Sequence, residues 1–404
     1  MLLTTCPVTL GARNRIMAIA PACIFTCLIL DFMTRPIEAL ISLANLQHNF
    51  AQARNLTPTA RIMAVVKANA YGHGAVRVAG ALDPLADAFG VASLEEAVEL
   101  RAAGIESPIV LLSGVFGRTE MLEVARHGLA TVIHCVEQLQ ILLATELSQP
   151  VDVWLKLDTG MHRLGFTAEG FCRAAGRLRA AKQVAKLTFI SHLACADDPA
   201  AALNERQLSA FSKTLDGLDV GVDECASLAN SAALLTRPDM HFDWVRPGVM
   251  LYGVNPLAGD LPLPAELELR PVMTLRSRIV ALQAVPGGEA VGYGEAWCAP
   301  GLATGASASP ARIAVVAAGY GDGYPRHAAN GCPVLVNGKS AVVAGRVSMD
   351  LISVDISANP EAQVGDVVTL WGEGLPVESI AQHSATIAYE LLTAVNQRVK
   401  FSYE

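Results

Sequence analysis

The strongest constraint on this chain is a beat of short apolar runs. Eight of them lie between Arg61 and Pro247, each four to six residues long and most rich in Val, Ile or Leu. They are Ile62–Lys67, Ala88–Ala92, Ile109–Ser113, Thr131–His134, Asp152–Leu157, Leu187–His192, Cys225–Asn230 and Phe242–Arg246. None alternates apolar and polar residues, as a strand wet on one face does, so strands buried on both faces, hence parallel strands, are expected. Between most of them lie stretches of helical period, such as Leu94–Ala103, Met121–His127, Ala168–Ala180 and Leu203–Leu218. Strand and helix alternating eight times favour a closed (β/α)8 TIM barrel over an open doubly wound sheet.

After Leu267 the texture changes. Val272–Leu282 alternates, and Ile313–Ala317, Pro333–Val336, Ala341–Val343, Leu351–Asp355 and Val367–Leu370 follow. Asn337-Gly338 marks a hairpin between two of these runs. This predicts a mostly antiparallel β domain over 267–404, a helix over Val377–Thr393, and an exposed loop at Ala303–Pro310. The barrel domain spans 33–266, with its first segment, near 35–43, expected to pack on the C-terminal domain. Residues 1–32 carry Arg13, Arg15 and a Pro-interrupted apolar run from Ile16 to Leu30. They read as an extension outside the fold, from an upstream start codon rather than a targeting segment, and the run is too short to span a bilayer.

Composition bounds the function. With 404 residues, 52% of them hydrophobic, the chain has ample core for two domains. A net charge of −8 without a basic run argues against nucleic acid. The nine cysteines form no CxxC pair, which argues against zinc or a disulfide framework and fits a reducing cytoplasm.

Polar residues cap at least five of the expected strands on the C-terminal rim, where barrel active sites lie. They are Lys67, Lys156 (with Arg163 in the loop after it), His192, the pair Asn230 and Ser231, and Arg246. A lone lysine at a strand end is more often simply solvated, but this one-sided set favours a site. Ser231 and the Gly248 backbone stand where loops after strands seven and eight commonly hold phosphate; a helix cap at Ser231 is compatible with that.

Here the chain resembles a known family. AVVKANAYGHG, LKLDTGMHRLG, SHLACAD, ANSAA, VRPGVMLYG, VGYGEAW, AGYGDGYPR and GRVSMD are similar to motifs of the alanine racemases, fold type III of the pyridoxal-phosphate enzymes, and they fall in the family's order. The match runs from about Met33 to Glu404. The resemblance implies pyridoxal 5'-phosphate held by Lys67, with Tyr71, Ser231, Gly248, Val249 and Tyr389 on the phosphate and Asn230 and His192 in the same shell. It implies two bases, Lys67 on the D-alanine side and Tyr293 on the L-alanine side. Tyr293 would come from the other subunit of a homodimer with shared sites, together with Met349, whose backbone N–H meets the substrate carboxylate beside Arg163. A chain from Tyr293 to His192 to Arg246 would lower the phenol pKa. Arg246 would face the pyridine nitrogen, where many related decarboxylases place a carboxylate; a guanidinium does not protonate it, so the electron sink is weaker. Lys156 matches a position often carbamylated. Tyr320 and Tyr389 match tyrosines that narrow the mouth, which suits alanine. Ser348 stands where cysteine is also common, and His162 occupies a variable position where it could crowd the Arg163 loop.

The expected role is to supply D-alanine for peptidoglycan or to serve alanine catabolism, with no membrane partner. The competing readings are a broader amino-acid racemase of the same fold, against which Tyr320 and Tyr389 speak, and a non-catalytic cofactor-binding barrel. The latter leaves the domain carrying Tyr293 and Met349 unexplained.

Overall fold

A computed structural model describes residues 35–259, 261–300, 310–328 and 330–404. The expectations for residues 1–32 and for all but the last residue of Ala303–Pro310 lie outside them.

The chain starts in one domain, builds the other, and returns. Strand β1 (Glu38–Ile41) lies in the C-terminal sheet. It pairs antiparallel with β10 (Met273–Val285) and parallel with β18 (Lys400–Tyr403). The Glu38 carboxylate lies 3.0 Å from the Arg276 guanidinium and accepts from the Ser402 hydroxyl at 2.6 Å, pinning the register of all three strands. Helix Leu43–Leu56 then leads into the barrel; Ser42 caps it by accepting the Asn45 N–H.

The barrel closes through eight parallel strands. They are β2 (Arg61–Val65), β3 (Ala88–Val91), β4 (Ile109–Leu111), β5 (Ala130–Ile133), β6 (Val151–Lys156), β7 (Val184–Ile190), β8 (Cys225–Asn230) and β9 (Trp244–Arg246). Each answers one expected apolar run. Met63, Val110, Val132, Trp154, Ile190 and Trp244 form an apolar cluster of their own, made by strand residues alone, and plug the barrel. Trp154 and Trp244 meet edge to face at 5.5 Å. The opposite strand faces pack against the outer helices, for example Leu111 and Leu155 with Phe171 and Leu178 in the large core.

In the C-terminal domain β13 (Ala311–Val316), β16 (Ile352–Asp355), β15 (Lys339–Val343), β14 (Pro333–Val336), β17 (Val367–Trp371) and β10 follow one another in that order. Strand β10 also pairs with β13, so these six form a closed ring of antiparallel strands. Two short strands, β11 (Ala290–Val291) and β12 (Trp297–Cys298), make a separate hairpin.

One expectation for the C-terminal domain fails. The helix expected over Val377–Thr393 is two helices, Val377–His383 and Ala388–Ala394. Ala385 takes a left-handed φ of 51°, and Ile387 enters the second helix from an extended conformation. The apolar period continues across the break, so it is invisible in the sequence. Pro36–Glu404 forms one compact unit. Among the described residues no helix is long and apolar enough to cross a membrane.

Candidate active site

The C-terminal ends of the barrel strands surround a cavity of about 1290 Å³. Lys67, Tyr71, Lys156, Arg163, His192, Asn230, Ser231, Arg246, Gly248, Val249 and Tyr389 line it. All eleven were expected there.

Lys67 does not close its strand. Strand β2 ends at Val65, and Lys67 opens a tight turn through Tyr71. In that turn Ala68, Asn69, Ala70 and Tyr71 all have φ between 52° and 53°. Left-handed backbone costs a residue with a Cβ roughly 1–2 kcal/mol, so four in succession need bracing. The Glu96 carboxylate accepts the Ala68 N–H at 2.7 Å, and Asn69 Oδ1 accepts the Ala75 N–H at 2.8 Å. At the far end His73 Nδ1 lies 3.1 and 2.9 Å from the carbonyl oxygens of Ala70 and Tyr71. Both oxygens only accept, so Nδ1 carries the ring proton. Burial holds the His73 pKa down to about 4, which keeps the ring neutral and leaves the buried Nε2 as a bare lone pair. A side chain on Gly72 is excluded twice over: φ is +82°, and a Cβ would lie 2.1 Å from the Leu392 carbonyl oxygen.

An aromatic stack continues the bracing. The His73 ring lies 4.6 Å from Tyr252, Tyr252 lies 4.8 Å from Tyr71, and Tyr71 lies 5.9 Å from Tyr389. The Tyr252 hydroxyl donates to the Val65 carbonyl at 3.0 Å. Burial pushes the Tyr71 phenol well above its ordinary range, so it is a neutral donor. It sits over the Gly248 peptide so closely that a Cβ there would meet its oxygen at 2.5 Å. Ser231 Oγ accepts the Gly248 N–H at 2.8 Å. Ser231 is not the helix cap: Asn230 fills that place, with Oδ1 accepting the Ala233 N–H at 3.1 Å, and Ser231 is left free to face the Gly248 loop.

The other wall is cationic. Arg246 is buried and donates to the Ser227 hydroxyl, to the carbonyls of Ser191 (2.6 Å) and Leu228 (3.2 Å), and to His192 Nδ1 (3.5 Å). Burial lowers its pKa only to about 9, so it remains a cation at neutral pH. Because arginine can only donate, neutral His192 must hold its proton on Nε2. Burial, then Arg246, Lys156, Arg163 and Lys67, keep the His192 pKa well below its ordinary value. Lys156 is buried too; burial and then the charges of Arg246, Arg163 and Lys67 bring its pKa to about 8. Burial and Arg163 likewise depress Lys67, against a smaller opposing pull from Glu96.

The loop bearing Arg163 is anchored at both ends. Asp158 accepts the backbone N–H of Gly160 at 2.9 Å and of His162 at 3.1 Å. The His162 ring turns to the same carboxylate at 3.1 Å and is exposed, away from crowding Arg163. Buried Gln207 donates to the Thr159 hydroxyl and the His192 carbonyl, both at 3.0 Å, and accepts the Ala194 N–H at 2.9 Å.

Three expected residues are elsewhere. Tyr293, Tyr320 and Met349 are 69%, 40% and 52% exposed, and none lines this cavity. They belong to neighbouring segments of the C-terminal domain. A Cβ on Gly294 would touch the Arg346 guanidinium at 3.1 Å, and Tyr320 and Gly321 donate their N–H groups to the carbonyls of Ser348 and Met349.

Models of the alanine racemase N-terminal and C-terminal domains match residues 41–256 and 272–403. The chain belongs to the alanine racemase family. The "Alanine racemase, biosynthetic" of Pseudomonas aeruginosa is 49% identical over 369 residues, covering 91% of this chain and 99% of that protein. The alanine racemase of Stutzerimonas stutzeri is 47% identical over 370 residues, with the same coverage of each. The crystal structure of the biosynthetic alanine racemase from Pseudomonas aeruginosa superposes with a TM-score of 0.86 at 48% identity, covering 92% of this chain and 100% of that one. Alanine racemase from Bartonella henselae with covalently bound pyridoxal phosphate superposes with a TM-score of 0.81 at 29% identity, covering 91% and 99%. The alanine racemase fold, a parallel barrel followed by an antiparallel β domain, and the racemase activity class expected from the sequence both stand.

Tyr252, His73, Glu96 and Gln207 were not anticipated as parts of the site. Each acts mainly on backbone or on another ring, and only Tyr252 and His73 lie in motifs that had drawn notice.

Proposed function

We propose that the chain interconverts L- and D-alanine with pyridoxal 5'-phosphate bound at Lys67, using Lys67 and Tyr293 of the partner subunit as bases on opposite faces of the substrate. The observation that carries this is the division of the expected residues: the binding set and one base share a cavity, while Tyr293, Tyr320 and Met349 stand exposed on another domain. A homodimer that turns this rim toward the partner's cavity completes both sites at once.

The residues fit the cofactor. The Gly248 peptide, Ser231 hydroxyl and Tyr71 phenol form a cradle for a phosphate, closed to any side chain at Gly248. Lys67, Arg163 and Arg246 bring positive charge to the same space, which suits phosphate and carboxylate groups. When bound, pyridoxal phosphate supplies an electron sink that acidifies the substrate Cα–H.

The chain's own groups do the rest. Burial and the Arg163 charge lower the Lys67 pKa, which favours the free amine that takes or returns the Cα proton on one face. A phenol is a poor base near neutral pH unless cations stabilise its anion. Neutral His192 would offer its Nε2–H to that anion, and the cation behind it is Arg246, which donates to His192 Nδ1. One face loses a proton, the other gains one, and the centre inverts. Arg163 and the partner subunit's Met349 N–H hold the substrate carboxylate. Tyr320 and Tyr389 narrow the mouth to alanine. Lys156, crowded by three cations, is placed to react with carbon dioxide, losing a proton to become a carbamate anion that orients Arg163.

We infer a cytoplasmic role supplying D-alanine for peptidoglycan, and the relative named biosynthetic supports the biosynthetic part of that reading. Mixing Lys67→Ala with Tyr293→Phe tests the shared site. Each variant alone is expected to be inactive, and the mixture to regain activity through dimers with one intact site. Failure of every mixture, with subunit exchange verified, would remove the two-subunit account.

A further inference from the structure

Glu96 holds the third position of helix Leu94–Ala102, after its cap Ser93. Ser-x-x-Glu at a helix start ordinarily closes a capping box, with the glutamate reaching back to the N–H of the cap residue. Here the carboxylate does something different. One oxygen accepts the Ala92 N–H at 2.7 Å, and the other crosses to the neighbouring strand end and accepts the Ala68 N–H at 2.7 Å. Finishing the helix requires no bond to Ala68. That residue follows Lys67 directly and is the first of the four left-handed residues.

The electrostatic setting points the same way. Lys67 faces Arg163 from the loop after β6, Lys156 on β6, His192 beyond β7 and Tyr71 from its own turn, with Arg246 on β9 behind them. These charged groups are cations, while the carboxylates of Asp197, Glu378 and Glu390 line other parts of the same cavity. Glu96 is the carboxylate that opposes them at the Lys67 amine.

We propose that Glu96 is a positioning residue for Lys67: through the Ala68 peptide it aims the lysine stem, and through its charge it offsets the field of the surrounding cations at the amine. The inference rests on the reading that Lys67 carries the cofactor and serves as a base. Glutamate suits both tasks, since its reach spans the two amides and its charge acts on the amine against that of Arg163. Glutamine would keep the reach and lose the charge; aspartate would keep the charge and lose the reach.

The test labels the cofactor-free full-length chain with acetic anhydride across a pH series. Mass spectrometry of the peptide bearing Lys67 gives the pH midpoint of that amine. Glu96→Gln is expected to lower the midpoint by about one pH unit, the size expected when one partly screened charge is removed. Glu96→Asp should hold the midpoint near wild type while weakening pyridoxal phosphate binding about tenfold, read by fluorescence titration. Ser93→Ala, which removes only the helix cap, should lower Tm and leave the midpoint in place. An unmoved midpoint in folded Glu96→Gln, or an equal shift in Ser93→Ala, overturns the charge half of the proposal. Unchanged cofactor affinity in Glu96→Asp overturns the aiming half, whether or not Glu96→Gln folds. If Lys67→Ala still forms the covalent cofactor adduct, the reading of Lys67 itself fails, and the labelling result still reports on Glu96.

Discussion

The two halves of the site are built to different standards of completion. On the barrel rim the functional side chains are finished: Arg246 has four hydrogen-bond partners, Lys156 is buried, and Lys67 starts a turn braced at both ends. On the β-domain rim Tyr293 and Met349 are more than half exposed. On the proposed reading the barrel prearranges binding and one base by itself, whereas the other rim presents groups whose surroundings a second copy of the chain would provide.

That contrast breaks most sharply at the two proposed bases. Lys67→Ala is expected to abolish both racemisation and the visible absorbance of bound cofactor. Tyr293→Phe should keep the absorbance and lower kcat by about two to four orders of magnitude, the usual worth of a positioned acid–base group. A fully active Tyr293→Phe would show that the exposed rim is scenery. Next in size is the barrel's own rigidity. The His73 pKa falls from 6.5 to about 4 on folding, so below pH 6.5 the unfolded chain binds more protons than the folded one. Stability should then decline as pH drops from 6.5 toward 4, by about 3 kcal/mol at the limit, and level off below that. Urea midpoints of wild type and His73→Phe at pH 7 and pH 4.5 measure it; the variant should lack this part of the decline.

A smaller effect sharpens the electrostatic side. In Arg246→Gln the largest charge acting against protonation of His192 is gone, so its pKa rises. The acid limb of the kcat profile should move to higher pH, and an unmoved limb would detach His192 from the proton path. Smallest is Ser231→Ala, which removes one hydroxyl from the cradle and should weaken cofactor binding by roughly 1 kcal/mol, a factor near five to ten.

Much of this was legible in advance, and the reasons are physical. Parallel strands covered on both faces must be apolar throughout, so the runs announced themselves even at three residues, as with Ile109–Leu111 and Trp244–Arg246. Lys67, Lys156, His192, Asn230, Ser231 and Arg246 were legible as polar residues at strand ends, whereas Tyr71, Val249 and Tyr389 were legible only through the family resemblance. The break between His383 and Ala388 was not, since no Gly or Pro marks it and a left-handed alanine leaves no trace in composition. Lys67 had been expected to close its strand, which ends two residues earlier. Glu96 and Gln207 grip backbone, and backbone partners follow from geometry alone. Strand β18, four residues of mixed polarity, becomes a strand only because β1 lies beside it.

That last pairing has a consequence for how the molecule is made. The β domain owns residues on both sides of the barrel, so topologically the barrel is an insertion within it. During synthesis β1 waits through more than two hundred residues for β10, and longer still for β18. A nascent chain halted after the barrel holds an unpaired strand edge open to neighbours, a recognised route to misassembly. Cutting the gene at the barrel boundary should thus yield two aggregating pieces, while moving 36–42 to the C-terminal piece should give the β domain a better chance of standing alone.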